Sequence, residues 1–215
     1  IAFSLDGKGF LDFTPDFGAG LSILQDKAGD SRLNTLQVNL AGAYKLPLGM
    51  DSASNFTVGV QAGFTQRKFD NEDLRYGNQW NGYVFDPNIN ANENYSTMAF
   101  TNFNLNLGMA YFHNGPGRNE MTAGLSFYQW NAPNESFFNN QSIKLDPRIN
   151  MQINGIIELK SDWDLMPGAL LSVQGKFKEF ILGSSVRHVL LEQRGLFRTV
   201  YGGVFFRTRD AGFIV

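Results

Sequence analysis

The side chains best suited to chemistry are few and scattered. His113 and His188 are the two histidines of the 215-residue chain. Neither sits in an HExxH frame or another spacing that would bring two imidazoles onto one metal ion. DKAGD (26–30) brackets Gly29 with Asp26 and Asp30, as a cation-binding turn would. A hairpin turn selects the same residues for backbone geometry, and that is the preferred reading. DNEDLR (70–75) gathers Asp70, Glu72 and Asp73, hard oxygen ligands of the kind that hold Ca²⁺, but without EF-hand spacing; a solvated loop is expected. Arg187, Arg198 and Arg207 fall in extended segments and are expected to brace an interior by charge pairing. No Ser-His-Asp arrangement, framed pair of carboxylates or phosphate-cradling glycine loop is present. The chain has no cysteine, which excludes disulfide frameworks, thiolate metal sites and a Cys nucleophile. Neither an enzyme nor a cofactor or metal site is expected. What remains is recognition. GNQWNG (77–82) can present Trp80 as an interface anchor, or pack on itself as an ordinary loop.

The elements that carry these residues show period-two alternation throughout and almost no helical period. In FTVGVQAGFT (56–65), Phe56, Val58, Val60, Ala62 and Phe64 share one face, and Thr57, Gly59, Gln61, Gly63 and Thr65 the other. Segments 36–46 and 149–160 divide in the same way, and in TNFNLNLGMA (101–110) Asn102, Asn104 and Asn106 alternate with Phe103, Leu105 and Leu107. Less regular strands are expected at 17–25, 119–130, 164–174, 179–189 and 195–207, with partial strands at 1–9 and 210–215. That gives about eleven strands and no helix. Connections alternate between short (10–16, 47–53, 113–118, 160–163) and longer (26–32, 69–97, 132–148), which places the longer loops on one rim of an up-and-down sheet. The pattern weakens after 174, where KFKE is short on the long-loop side. Both ends of the chain fall within strand patterns, so it is expected to be a fragment lacking terminal strands, with 1–215 forming one domain.

Charged residues are 18% of the chain and the net charge is −2, which offers no case for nucleic acid. No apolar run is long enough for a membrane helix, but barrel strands never contain one. Two solvents therefore compete: water outside a soluble β-sandwich, or lipid outside a barrel. The polar faces carry Asn, Gln, Gly and Ser rather than Lys and Glu. The strands run about 10–12 residues, the length of a tilted crossing. Aromatic residues sit near strand ends: Phe17, Tyr44, Phe56, Tyr111, Phe112, Trp130, Trp163, Phe177 and Phe180. All three features favour an antiparallel up-and-down transmembrane β-barrel. On that reading a charge at Leu105 costs about 2–4 kcal/mol near the bilayer midplane, whereas Asn104→Lys, facing the lumen, is mild.

The run FGAGLSILQDKAGDSRLNTLQVNLAGAYKLPLG (17–49) resembles the PorP/SprF family of Bacteroidota outer-membrane proteins. VGVQAGFTQRKFDNEDLRYGNQWNGYVFDP (58–87) and DPRIN (146–150) do too. The resemblance rests on the strand-DKAGDS-strand hairpin, the GxQxGF strand, the QWNG-then-FDP loop and their order, and it is looser after about 175. It implies an outer-membrane barrel of the type IX secretion system, associated with gliding motility. Such a barrel binds, anchors or helps secrete a large adhesin-type surface protein through that protein's C-terminal domain. Implied partners are this domain, membrane lipid and other secretion components. Recognition would run through the loops 69–97 and 132–148, with Trp80, Tyr83, Phe85, Phe137 and Phe138 as expected contacts. An outer-membrane solute channel or hydrophobic-ligand transporter, and a soluble carbohydrate-binding β-sandwich, are the alternatives.

Overall fold

A computed structural model describes residues 1–8, 16–29, 31–49, 53–70, 74–92, 98–138, 140–193, 196–208 and 211–214, with 191–193, 196–198 and 211–214 described as backbone only. Eleven strands follow one another in space in the order of the chain, each antiparallel to the next. They are β1 (Ala2–Lys8), β2 (Phe17–Ala28), β3 (Leu33–Leu48), β4 (Ser54–Lys68), β5 (Ala99–Asn114), β6 (Glu120–Tyr128), β7 (Arg148–Lys160), β8 (Trp163–Gln174), β9 (Phe177–Gln193), β10 (Leu196–Arg207) and β11 (Ala211–Ile214). The sheet is open among the described residues, with β1 and β11 at its two ends.

Among the described residues the sheet has no second layer to pack against, and its burial is inverted. Among the described residues Phe69 is the one buried hydrophobic side chain, while Asn39, Thr65, Asn104, Asn106 and Asp164 are buried. Pairing register puts these five polar residues on one face, together with Gln61, Ser126, Asn150 and Ser185. The other face carries Leu40, Val60, Phe103, Leu107, Ile153, Leu182 and Val204, all exposed. In water this arrangement would expose the apolar face and cover the polar one. It is the stable arrangement when hydrocarbon lies outside and the sheet curls round its polar face. The β-sandwich alternative, which needs two sheets closing on their apolar faces, is overturned by this single inverted sheet.

Stagger in the ladder supports the same geometry. A line of directly paired residues starts at Phe17, the first residue of β2. It passes through Tyr44, Val58, Met109, Leu125, Met151 and Leu171 to Phe180, near the start of β9. It therefore climbs from the short-turn rim to the long-loop rim as it rounds the sheet, the slant that tilted barrel strands require. Outer-facing Phe17, Tyr44, Phe56, Tyr111 and Trp163 line the short-turn rim, where the Trp163 ring stacks on His188 at 4.2 Å. Phe112 and Phe177 depart from the girdle expected of them, because their register places them on the polar face.

Several boundaries differ from expectation. Strands β3, β5 and β9 have 16, 16 and 17 residues, longer than a membrane crossing needs. The 26–32 loop shrinks to a turn at 29–32, since β2 continues through Asp26 and Lys27. Gly29 there has φ +72° and its carbonyl accepts the Arg32 N–H at 3.0 Å, a hairpin turn. Asp30, Glu72 and Asp73 lie outside the described residues. The turn at 175–176 is as short as the sequence indicates, with Gly175 at φ +54°.

The polar interior is braced at two levels. Asn104 Nδ2 donates to Thr65 Oγ1 at 2.6 Å, and Asn106 Nδ2 to Gln61 Oε1 at 2.7 Å. Gly63 belongs to this level because a Cβ there would overlap the Asn39 side chain and the Val38 carbonyl, which accounts for the GxQxGF pattern. Nearer the short-turn rim, fully buried Asp164 takes Arg118 (2.9 Å) and Arg187 (2.6 Å) on separate oxygens. Arg207 pairs with Glu179 in a more open position; the Arg198 side chain lies outside the description.

Asn104 is 4% exposed and donates to Thr65, so Asn104→Lys would break that bond and bury a cation, and a larger cost than the mild one read from sequence is expected. Ser126, on the wall of a lumenal cavity of about 470 Å³, is the appropriate comparison. Leu107→Arg should cost about 2–4 kcal/mol in urea unfolding from lipid vesicles, and Ser126→Lys within about 1 kcal/mol. Equal penalties would contradict the assignment of faces. Arg187→Ala should cost about 1–3 kcal/mol by leaving one oxygen of buried Asp164 unpaired while Arg118 holds the other, against less than about 1 kcal/mol for exposed Arg207→Ala.

Candidate partner-binding rim

The long-loop rim carries two ordered connections of opposite character. The first, between β4 and β5, contains a single 3₁₀ turn, Gly77–Gln79. The Gln79 side chain, 8% exposed, is its internal brace. Its Oε1 accepts the Tyr76 N–H at 3.1 Å, and its Nε2 donates to the Ile89 carbonyl at 3.1 Å. One amide thus ties the start of the loop to its far side.

Asn81 then caps the next turn, its Oδ1 accepting the N–H groups of Tyr83 and Val84 at 3.0 Å each. Gly82 supplies the φ of +100° that this turn requires. Asp86 closes the segment by accepting from Asn88 and donating its N–H to the Gln79 carbonyl. Trp80 and Phe85 pair as an isolated antiparallel bridge. With the backbone satisfied by Asx-type bonds, the aromatics need not turn inward. Trp80, Tyr83 and Val84 are 57%, 89% and 57% exposed, and Phe85 is half-buried beneath the Arg75 guanidinium at 5.0 Å.

The second connection, between β6 and β7, forms a small hairpin. Asn134 bridges Lys144, and Glu135 N–H donates to the Ile143 carbonyl at 3.0 Å. This hairpin turns inward. Phe137 packs edge-on against Phe69 at 4.8 Å and Phe100 at 4.7 Å, and Glu135 pairs with Arg67 at 3.1 Å. Its root sits on the amide level, where the Gln129 N–H donates to Asn106 Oδ1 at 2.8 Å. Of the five aromatics expected to make contacts, Trp80, Tyr83 and Phe138 point outward, Phe85 is partly covered, and Phe137 braces the hairpin. The brace Gln79 went unremarked in the sequence, although its place before Trp80-Asn81-Gly82 was the available signal.

The chemistry-bearing residues stay apart. His113 Nδ1 lies 2.8 Å from Ser54 Oγ and His188 is stacked on Trp163, both at the short-turn rim. Among the described residues no three His, Asp or Glu side chains converge as metal ligands would.

Gln79→Ala should free the Tyr76 N–H and the Ile89 carbonyl and loosen the loop by about 1–3 kcal/mol. Limited proteolysis of the folded chain at 74–92 should then run roughly ten-fold faster or more, with the β-sheet spectrum unchanged. An unaltered cleavage rate would show that the brace is dispensable.

A curled antiparallel sheet with an apolar exterior, an amide-lined interior and one elaborated rim fits a membrane wall. No curated protein matches the chain. The family model described as type IX secretion system membrane protein PorP/SprF matches residues 2–214. The chain belongs to that family, and is therefore a membrane protein of the type IX secretion system.

Proposed function

We propose that this chain is a non-catalytic outer-membrane component of the secretion system that receives and anchors a large exported surface protein by that protein's C-terminal domain. The observation that carries the reading is the contiguous exposure of Trp80, Tyr83 and Val84 on a loop that hydrogen bonds hold in place. Holding aromatics in water without burying them is unfavourable unless a partner covers them, and Trp and Tyr are the residues that dominate such contacts. The barrel wall supplies a rigid platform, and the outward loop supplies the contact.

The rival reading, a solute channel or hydrophobic-ligand transporter, is favoured by the lumenal cavity alone. Planar-bilayer conductance separates the two, since a transport path passes substantial current and an anchor does not. On the anchor reading, Trp80→Ala and Tyr83→Ala should each weaken binding by about 2 kcal/mol, roughly 30-fold. The measurement is titration of the detergent-solubilised chain with the C-terminal domain of the surface protein exported with it. Unchanged affinity in both variants would overturn the reading.

A further inference from the structure

The outer face of the sheet carries a groove where β7 meets β8. The register pairs Asn154 with Gly168 and resumes at Ile157 with Leu165, so the ladder is interrupted between them. Over this interruption, on the apolar face, lies a groove of about 320 Å³. Small residues run along it and large ones flank them. Ala169 stands between Ile153 and Leu182 on the neighbouring strands, and Gly155 lies opposite Met121. Ile153, Ile157, Leu182 and Met121 are all exposed.

Its depth matches half a bilayer. Trp163 opens β8 at the short-turn rim, six residues before Ala169, which is about 20 Å along a strand. Tilted as barrel strands are, that distance descends about 15 Å, half of the hydrocarbon core. The groove therefore lies within one leaflet, between the rim and the midplane, where an acyl chain runs.

Two charges of opposite sign stand at the rim end, on the same outer face. Register pairs Lys160 with Trp163 and Trp163 with His188. Asp162 joins them, its Oδ2 3.6 Å from His188 Nδ1. Lys160 forms no ion pair among the described residues. The stacked Trp163 and His188 rings sit where amphipathic aromatics meet lipid headgroups.

We infer that this groove holds one acyl chain of a glycerophospholipid whose headgroup carries both a phosphate and a primary ammonium. The apolar groove lies on the face assigned to hydrocarbon, so its occupant there is a chain of methylenes. The rim selects the headgroup. Lys160 donates to the phosphate, and Asp162 accepts from the ammonium. A headgroup with a phosphate and no amine satisfies Lys160 but leaves its charge beside the Asp162 carboxylate. A choline headgroup has no N–H to give Asp162.

The test reconstitutes the chain in vesicles of equal phosphatidylethanolamine, phosphatidylglycerol and phosphatidylcholine. After extraction in mild detergent, mass spectrometry of the retained lipid should show phosphatidylethanolamine enriched over the other two. Lys160→Gln and Asp162→Asn should each reduce that retention roughly ten-fold, the effect of losing one charge-assisted hydrogen bond. Ala169→Phe, which fills the groove from outside the ladder, should reduce it by roughly the same factor. Ala62→Phe, set between Leu40 and Leu105 on the same face, should leave retention and the β-sheet spectrum unchanged. Equal retention of the three lipids, or retention unaltered by both Lys160→Gln and Ala169→Phe, would overturn the inference. Disulfide-joined dimers of this chain through Ala169→Cys would put a second copy in the groove and overturn it as well.

Discussion

Hydrocarbon offers a peptide group no hydrogen bond, so a chain that crosses it must satisfy every backbone donor and acceptor within its own wall. Nearly every feature of this sheet follows from that constraint. The neighbour-to-neighbour order keeps each ladder continuous, and the slanted register lets the sheet curl. Face inversion places Leu40, Val60 and Leu107 outside and Asn39, Asn104 and Asp164 inside. Pro167, well inside β8, shows the constraint under stress. Between β7 and β8 the pairing skips Gly155 and Ile156, which lie opposite Met166 and Pro167. Proline brings no N–H to the ladder.

The same constraint explains how the short strand is handled. At nine residues β6 is shorter than β5 with 16 and β7 with 13, so it leaves an edge on each. On β7 the edge is closed by the 115–119 turn. Asn119 Oδ1 accepts the Glu158 N–H at 2.9 Å, and the Arg118 guanidinium donates to the Lys160 carbonyl at 2.8 Å. Arg118 also reaches Asp164, so sealing the edge and neutralising the buried carboxylate are one arrangement. On β5, Asn131 plays the part of Asn119. Both edges left by one short strand are thus met by an asparagine side chain.

Legibility in the sequence followed the strength of the alternation. Strands β3, β4, β5 and β7 alternate cleanly because one side meets lipid and the other amide, and each was read within a few residues of its bounds. The 26–32 segment was misread because Asp26, Lys27 and Gly29 satisfy loop composition. Above the apolar band a strand faces water on both sides and need not alternate. Phe112 and Phe177 were misplaced because strand-end aromatics were assigned by position, whereas the face follows from parity along the strand. The direction of the two rim loops was not legible at all. Both are rich in Asn and aromatic residues, and what separates them is where these point: Phe137 inward against Phe69 and Phe100, Trp80 and Tyr83 into solvent.

That difference bears on the partner-anchoring role proposed above. The 129–147 connection is ordered partly by apolar contact, with Phe137 held by Phe69 and Phe100, although Phe138 stays exposed. In the 74–92 segment, Gln79, Asn81 and Asp86 hold the backbone instead. A loop fixed by polar bonds can keep large apolar side chains in solvent without collapsing onto them, and the entropy of ordering it has been met before any partner arrives. Asn104 and Asn106 take part in the same division of labour. Their amide level is where the inward hairpin takes root, through the Asn106 bond to the Gln129 N–H, rather than a surface left to bulk water. The polar face of TNFNLNLGMA therefore anchors one loop inside the mouth, and the rim outside it is left to the other.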